Sequence, residues 1–208
     1  MSFGSVTTAR PPGEIVVGDV VADGYRFVKD DPHDIQLFSE LLMRLGAAEC
    51  MQWRLRRQPL SVEDWRRIAG EDTGSMFEVC ACLGTRTGEL RQFGHLLGLL
   101  YHGCDDVGDV RGATALGGGG DEDLRDGILT LPAALAIRDP AVAEVFRIHH
   151  PSADQLTIMA EALRAQVPAA EQYLDSLAEE ARAEALKFAL NTRPLLALVD
   201  HTRRLSNR

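Results

Sequence analysis

Residues 96–109 read Leu-Leu-Gly-Leu-Leu-Tyr-His-Gly-Cys-Asp-Asp-Val-Gly-Asp, an apolar run that ends in three carboxylates, Asp105, Asp106 and Asp109. Such a cluster at the end of a buried stretch is costly unless something cationic neutralises it. On a helix, positions i and i+4 share a face, so Asp105 and Asp109 can point at one centre, with Asp106 turned about 100° away. Hard oxygen ligands at this spacing suit Mg²⁺, which takes one or two carboxylates and fills its shell with water and phosphate oxygens. A bare helix end is the poorer reading, because carboxylates near a helix C-terminus oppose its dipole. The pattern points to diphosphate handling by magnesium inside an apolar helical pocket.

Outward from this stretch, helical signals dominate. Met1–Pro12 is polar and reads as a flexible N-terminal arm, leaving residues 13–208 as one domain. A first helix is expected over Gly13–Val28, followed by the acidic turn Lys29-Asp30-Asp31-Pro32. A second, His33 to about Arg56, carries Ile35, Phe38, Leu41, Leu42, Leu45 and Ala48 at helical spacing. Ser61-Val62-Glu63-Asp64 has the form of a capping box that opens a third helix running through Cys82. Gly84–Gly88 is a break, and a fourth helix, about Glu89–Val110, carries the aspartates. Gly112–Gly120, with five glycines, is a flexible loop; it lacks the Lys-Ser/Thr of a P-loop and follows no strand. A helix over Asp123–Ile137 is expected to contain Thr130-Leu131-Pro132, and Asp139-Pro140 and Pro151-Ser152 start further helices. The last third is alanine- and glutamate-rich amphipathic helix, and nothing alternates like a strand. The fold class is all-α.

At 208 residues the chain has ample apolar content for one core. A net charge of −9 argues against a nucleic-acid surface. It also means that an anionic substrate needs metal ions or a local cluster of arginines. Among 22 basic residues only Lys29 and Lys187 are lysines. Cys50, Cys80, Cys82 and Cys104 have no zinc spacing and read as small core residues in a reducing compartment. Met1–Pro12 has no apolar core of a signal peptide, and no uncharged apolar run approaches the ~20 residues of a membrane span. A cytoplasmic location is expected.

Tyr101-His102-Gly103-Cys104-Asp105-Asp106-Val107-Gly108-Asp109 resembles the second aspartate-rich motif of the trans-isoprenyl diphosphate synthases (polyprenyl synthetases). That motif is an aromatic residue and Gln, two variable positions, then Asp-Asp-x-x-Asp. Downstream, Asp121-Glu122-Asp123-Leu124-Arg125-Asp126-Gly127-Ile128-Leu129-Thr130-Leu131-Pro132 is similar to the family's Gly-Lys-Asp-Leu-x-x-Gly-Lys-x-Thr-Leu-Pro. Upstream, Asp72-Thr73-Gly74-Ser75-Met76-Phe77 resembles its Lys-Thr-Gly/Ala-x-Leu-Phe, and Ile15–Ala22 its Gly-Asp-containing helix. The resemblance implies an isoprenoid-synthase-type helical bundle lacking its N-terminal helices. It implies Asp105, Asp106 and Asp109 as catalytic carboxylates, Asp105 and Asp109 as Mg²⁺ ligands, and Tyr101, His102, Thr73 and Thr130 as substrate contacts.

Two departures qualify the match. The family's first Asp-Asp-x-x-Asp cluster, which faces the second across the cavity, would precede Gly18-Asp19 and has no counterpart here. Asp30-Asp31-Pro32-His33-Asp34 has its letters but lies in a turn broken by proline, and reads as a connection. At positions where the family has diphosphate-holding lysines, this chain has Asp72, Glu122 (or Asp121, one register away) and Ile128. His102 replaces the motif's Gln and can reach Asp105 or Asp106 at i+3 or i+4. The resulting expectation is one subunit of a split, two-chain prenyltransferase or class I terpene synthase. A hetero-oligomeric partner would supply the first aspartate cluster, and prenyl diphosphate would be the substrate. The alternative is a catalytically degenerate subunit that regulates a full-length synthase. An all-α protein with no isoprenoid role is disfavoured by the ordered run of motifs.

Overall fold

The structure, a computed structural model, describes residues 17–112, 120–188 and 191–207. Its helices are α1 (Val17–Val28), α2 (Pro32–Leu55), α3 (Val62–Ala69), a π-helical turn (Gly70–Gly74), α4 (Ser75–Thr85) and α5 (Arg91–Arg111). There follow α6 (Gly120–Asp126), α7 (Leu131–Ala136), α8 (Pro140–Phe146), α9 (Ala153–Phe188), α10 (Arg193–Arg203) and a 3-10 turn (Leu205–Asn207). No strand occurs among the described residues. The expected N-terminal arm, the start of the first helix and most of the glycine-rich loop lie outside them.

Local chemistry sets the helix ends. Asp31 caps α2: its carboxylate accepts from the backbone N–H of His33 at 2.9 Å and of Asp34 at 3.4 Å, while Pro32 occupies the first turn. Arg86 pairs with both Asp31 and Asp34, so the Asp30–Asp34 run is a helix start held by a guanidinium. The expected capping box is present at α3, where Ser61 Oγ accepts from Asp64 N at 3.2 Å and Asp64 Oδ2 accepts from Ser61 N at 3.1 Å.

Three expectations are corrected. The third helix is not a uniform α-helix through Cys82: its ladder slips into a π turn at Gly70–Gly74 before continuing as α4. The helix expected over Asp123–Ile137 is two helices. Gly127 closes α6 in the left-handed region (φ 72°), Ile128 N–H bonds back to Asp123 O at 2.9 Å, and Thr130 then caps α7. In α2 the fully buried residues are Leu37 and Ala48, Leu41 packs beside Leu37 with Val79 and Cys82 of α4, and Leu42 alone of the predicted stripe is exposed. Of the cysteines, Cys82 and Cys104 are buried and Cys50 and Cys80 exposed; all four are free thiols.

The core is organised round α5. Its Leu96, Leu99, Leu100 and Val107 pack against Leu174, Leu177, Ala178 and Ala181 of α9, and α7 lies against α9 beside them. At 36 residues α9 spans about 54 Å, and its alanines let it approach α5 closely. On the opposite side α4 and the π turn pack on α5, and Gly98 makes that approach possible: a Cβ there would lie 2.7 Å from Thr73 O and 2.8 Å from Gly74 Cα.

A polar joint ties α2, α4 and α5. Buried Glu78 accepts from Arg44 at 2.7 Å, Arg91 at 3.1 Å and His95 Nδ1 at 2.7 Å, while Arg44 also holds Glu71 at 2.8 Å. Burial raises the Glu78 pKa, but the hydrogen bonds from His95 and Arg44 outweigh it and hold the carboxyl at about 2.

Glu78→Gln is expected to destabilise the fold by about 3 kcal/mol at neutral pH, read from urea melts. Because the folded pKa is depressed, the gap between wild type and variant is full above the unfolded value of 4.5 and shrinks as pH falls towards 2. Gly98→Ala should cost about 1–3 kcal/mol by the same measurement, since backbone must move to admit the methyl.

Candidate functional site

The aspartate cluster occupies the last turns of α5, where the helix passes under α3 and the start of α7. Asp106 faces inward. Its Oδ2 accepts from Trp65 Nε1 and from Leu131 N, each at 2.8 Å, and the residue is only 8% exposed. Burial pushes its pKa upward; nearby His102 and the two N–H donors oppose that. The Thr-Leu-Pro segment thus has a physical role: Thr130 caps α7 through its hydroxyl, which accepts from Ala133 N at 3.3 Å, and this presents Leu131 N–H to Asp106.

Asp105 and Asp109 turn outward from the same helix, each half-buried. Asp105 Oδ1 is a buried oxygen with no hydrogen-bond partner among the described residues. Burial, then the charges of Asp109 and Asp106, push the Asp105 carboxyl up to about 6, against a smaller pull from His102. Asp123 on α6 joins this field. Burial and the charges of Asp106 and Asp109 raise it to about 6 as well. Asp106, Asp109 and Asp123 line one crevice with Ile128, Thr130, Phe146 and Leu163. An adjoining cleft of about 270 Å³ runs from Asp109 past Leu124 and Leu163 to Arg111 and Arg164.

His102 sits behind the cluster. Its Nδ1 lies 2.8 Å from Thr73 Oγ1 and 3.9 Å from Asp72 Oδ2, and its Nε2 lies 3.9 Å from Asp106 Oδ1. When Thr73 donates to Nδ1, the ring proton is on Nε2 and faces Asp106. Of the two reachable aspartates His102 therefore approaches Asp106. Tyr101 is tilted against Phe77, ring centroids 5.6 Å apart. Of the residues at the family's lysine positions, Asp72 stands near His102, Ile128 lines the crevice and Glu122 is exposed. The side chain of Asp121 lies outside the described residues.

The donor set fits a hard cation as part of a shell. It offers carboxylate oxygens, one of them buried and without a hydrogen bond, in a field of like charges that a cation would relieve. Among the described residues no group of three or more His, Cys, Asp or Glu side chains converges on one point, so these residues as arranged offer a partial set of ligands. Magnesium commonly uses one or two carboxylates and completes its shell with substrate oxygens.

Two residues of the site were not singled out from sequence. Asp123 stood within a recognised motif but was assigned only to a helix start. Trp65 is a lone aromatic in a helix rich in charged residues, with no pattern to announce its hydrogen bond to Asp106. Trp65→Phe, which keeps the ring and removes the N–H, is expected to lower stability by about 1–3 kcal/mol in denaturant titrations, because buried Oδ2 loses a donor.

The polyprenyl synthetase family profile matches residues 15–166. No curated protein sequence matches the chain. Among solved structures the fold is similar to a heptaprenyl diphosphate synthase from Staphylococcus aureus, with TM-score 0.73 and 19% identity over 86% of this chain and 60% of that one. It is similar also to a decaprenyl diphosphate synthase from Rhodobacter capsulatus, with TM-score 0.75 and 16% identity over 88% and 63%. A polyprenyl synthase from Caulobacter crescentus, complexed with calcium and isoprenyl diphosphate, gives TM-score 0.75 and 22% identity over 90% and 62%. The chain thus spans under two thirds of the length of these three structures. With the profile covering most of its length and the aspartate motif at the end of α5, the chain belongs to the polyprenyl synthetase family.

Proposed function

We propose that this chain provides one of two facing acidic walls of a prenyl-diphosphate site, and that it acts as a subunit with a second chain in trans-prenyl transfer. The observation that carries the reading is Asp105 Oδ1, buried without a hydrogen-bond partner and beside further carboxylates. A neighbouring cation would relieve the burial and like-charge cost of such an anion. In this reading Asp105 and Asp109 hold Mg²⁺, which when bound stabilises charge on a departing diphosphate.

Asp106 has a different part. Its Oδ2 is engaged by Trp65 and Leu131, so it braces the end of α5 and sets the direction in which Asp105 and Asp109 point. Thr73 orients His102, which supports Asp106 electrostatically. Asp123 adds negative charge that draws a cation to the same crevice. Ile128, Phe146 and Leu163 give that crevice an apolar lining beside the carboxylates. No lysine or arginine lines the crevice among the described residues. We assign the cations that hold a second diphosphate, and a facing aspartate cluster, to the partner chain; Arg111 and Arg164 line the adjoining cleft. The charge reversal at Asp72 and the neutral Ile128 also favour a second reading, a degenerate subunit that modulates an active synthase.

Thermal melts in MgCl₂ plus inorganic diphosphate test the site. The two together should raise the Tm, with stabilisation of about 2.7 kcal/mol at one hundred times Kd. Asp105→Asn/Asp109→Asn should abolish the part of the rise that requires Mg²⁺. Turnover of allylic diphosphate with isopentenyl diphosphate should require the partner and be lost in Asp105→Ala. Full partner activity in an Asp105→Ala/Asp109→Ala variant would overturn the catalytic reading in favour of the regulatory one.

A further inference from the structure

Positive charge in this acidic protein collects in a second cleft, of about 430 Å³, lined by Trp53, Arg54, Arg56, Arg57, Arg147 and His149 together with Gln58 and Pro59. Three of the arginines come from the end of α2 and the segment after it, whereas Arg147 and His149 follow α8. The fold, not sequence proximity, brings the two groups together. No Asp or Glu lines the cleft among the described residues.

Several arginines elsewhere are committed to carboxylates: Arg44 to Glu71 and Glu78, Arg66 to Glu180, Arg182 to Glu179 and Asp200. Arg54 and Arg56 are exposed, and neither makes an ion pair with a described residue. Arg56 lies over the Trp53 ring, 4.7 Å from its centroid, and the indole N–H is fixed by Glu49 at 2.8 Å. This stacking limits the freedom of one guanidinium before any ligand arrives. Arg147 is held only by the exposed i,i+3 contact with Glu144 at 2.8 Å, which exchanges readily. Arg57 differs: it is buried, and its guanidinium donates inward to Arg125 O and to Phe146 O, so it forms wall rather than receptor.

Complementing the α2 dipole accounts for Arg54, which lies in the last turn of that helix. It does not account for Arg56, or for Arg147 and His149 arriving from another part of the chain. Guanidinium forks match the paired oxygens of a phosphoryl group, and phosphate concentrates on one centre more charge than a single carboxylate does. A concave cleft favours such a compact anion over an extended acidic peptide. We propose that this cleft binds a phosphate-bearing anion through Arg54, Arg56 and Arg147, without divalent metal and independently of the aspartate site.

Isothermal titration of the whole chain in EDTA, with inorganic diphosphate and separately inorganic phosphate, tests this. One saturable site is expected, weakening steeply with added salt. Arg54→Gln/Arg56→Gln should weaken binding at least tenfold and Arg147→Gln severalfold, with melting temperatures near wild type. Asp105→Asn/Asp109→Asn should leave it unchanged, which separates this cleft from the aspartate site. Tighter binding of diphosphate than phosphate identifies a polyphosphate ligand, and the reverse a monophosphate. Absence of saturable binding in EDTA, or unchanged affinity in a folded Arg54→Gln/Arg56→Gln variant, overturns the proposal. So does tighter binding of a glutamate-rich peptide than of either anion, which would reassign the cleft to an acidic protein partner.

Discussion

Asp106 lies where α5, α3 and α7 meet, and one of its oxygens takes hydrogen bonds from the Trp65 indole and the Leu131 amide. An unsatisfied carboxylate in that place would cost several kcal/mol, so both donors are required by the burial itself. The requirement propagates. Trp65 must stand on the inner face of α3, which its capping box begins at Ser61. Helix α7 must start at Leu131, with Thr130 as its cap and the preceding chain turned by left-handed Gly127. With Asp106 fixed, Asp109 faces the crevice and Asp105 turns outward one turn before it on the same helix.

The charge distribution is segregated by sign. Round the end of α5, carboxylates from two helices gather: burial and their acidic neighbours raise the proton affinity of Asp105 and Asp123, and no basic side chain lines the crevice that Asp106, Asp109 and Asp123 share. Behind the loop that follows α6, by contrast, arginines gather. Arg57 stands between the two regions: it lines the cationic cleft, and its backbone and guanidinium hold Gly127 O and Arg125 O at the end of the helix that carries Asp123. A protein with a net charge of −9 gains little attraction for anions from its overall field, so anions must be recognised by such local arrangements.

Much of this was legible in the sequence, and the reason is local chemistry. Ser61 to Asp64 encodes a cap, Pro140 marks a first turn, and the alanine-rich stretch after Pro151 encodes the long α9, because each signal acts within one turn of helix. The spacing of Asp105 and Asp109 likewise shows a shared face. What escaped reading depends on groups far apart in sequence. Asp106 looked like a weaker third ligand, and only the approach of Trp65 and Leu131, 41 and 25 positions away, gives it a bracing part. In α2 the predicted stripe fails only at Leu42, which is apolar in sequence but exposed. Thr130 was placed inside a helix because a capping threonine and an interior one look alike until Gly127 is seen to stop the chain.

The π turn at Gly70–Gly74 has a consequence for how the chain can vary. A π turn accommodates one residue more than the α-helical ladder would, and its side chains downstream are rotated accordingly. Here the extra residue is housed over the His95 ring, which lies against Gly70 and Gly74. Removing a single residue from this turn would relax it to ordinary helix while turning all of α4 by about 100°. Glu78 would then swing away from Arg44 and His95, and Thr73 from His102. The irregular turn thus works as a phase setting between α3 and α4: point substitutions can pass through it, but a change in its length cannot.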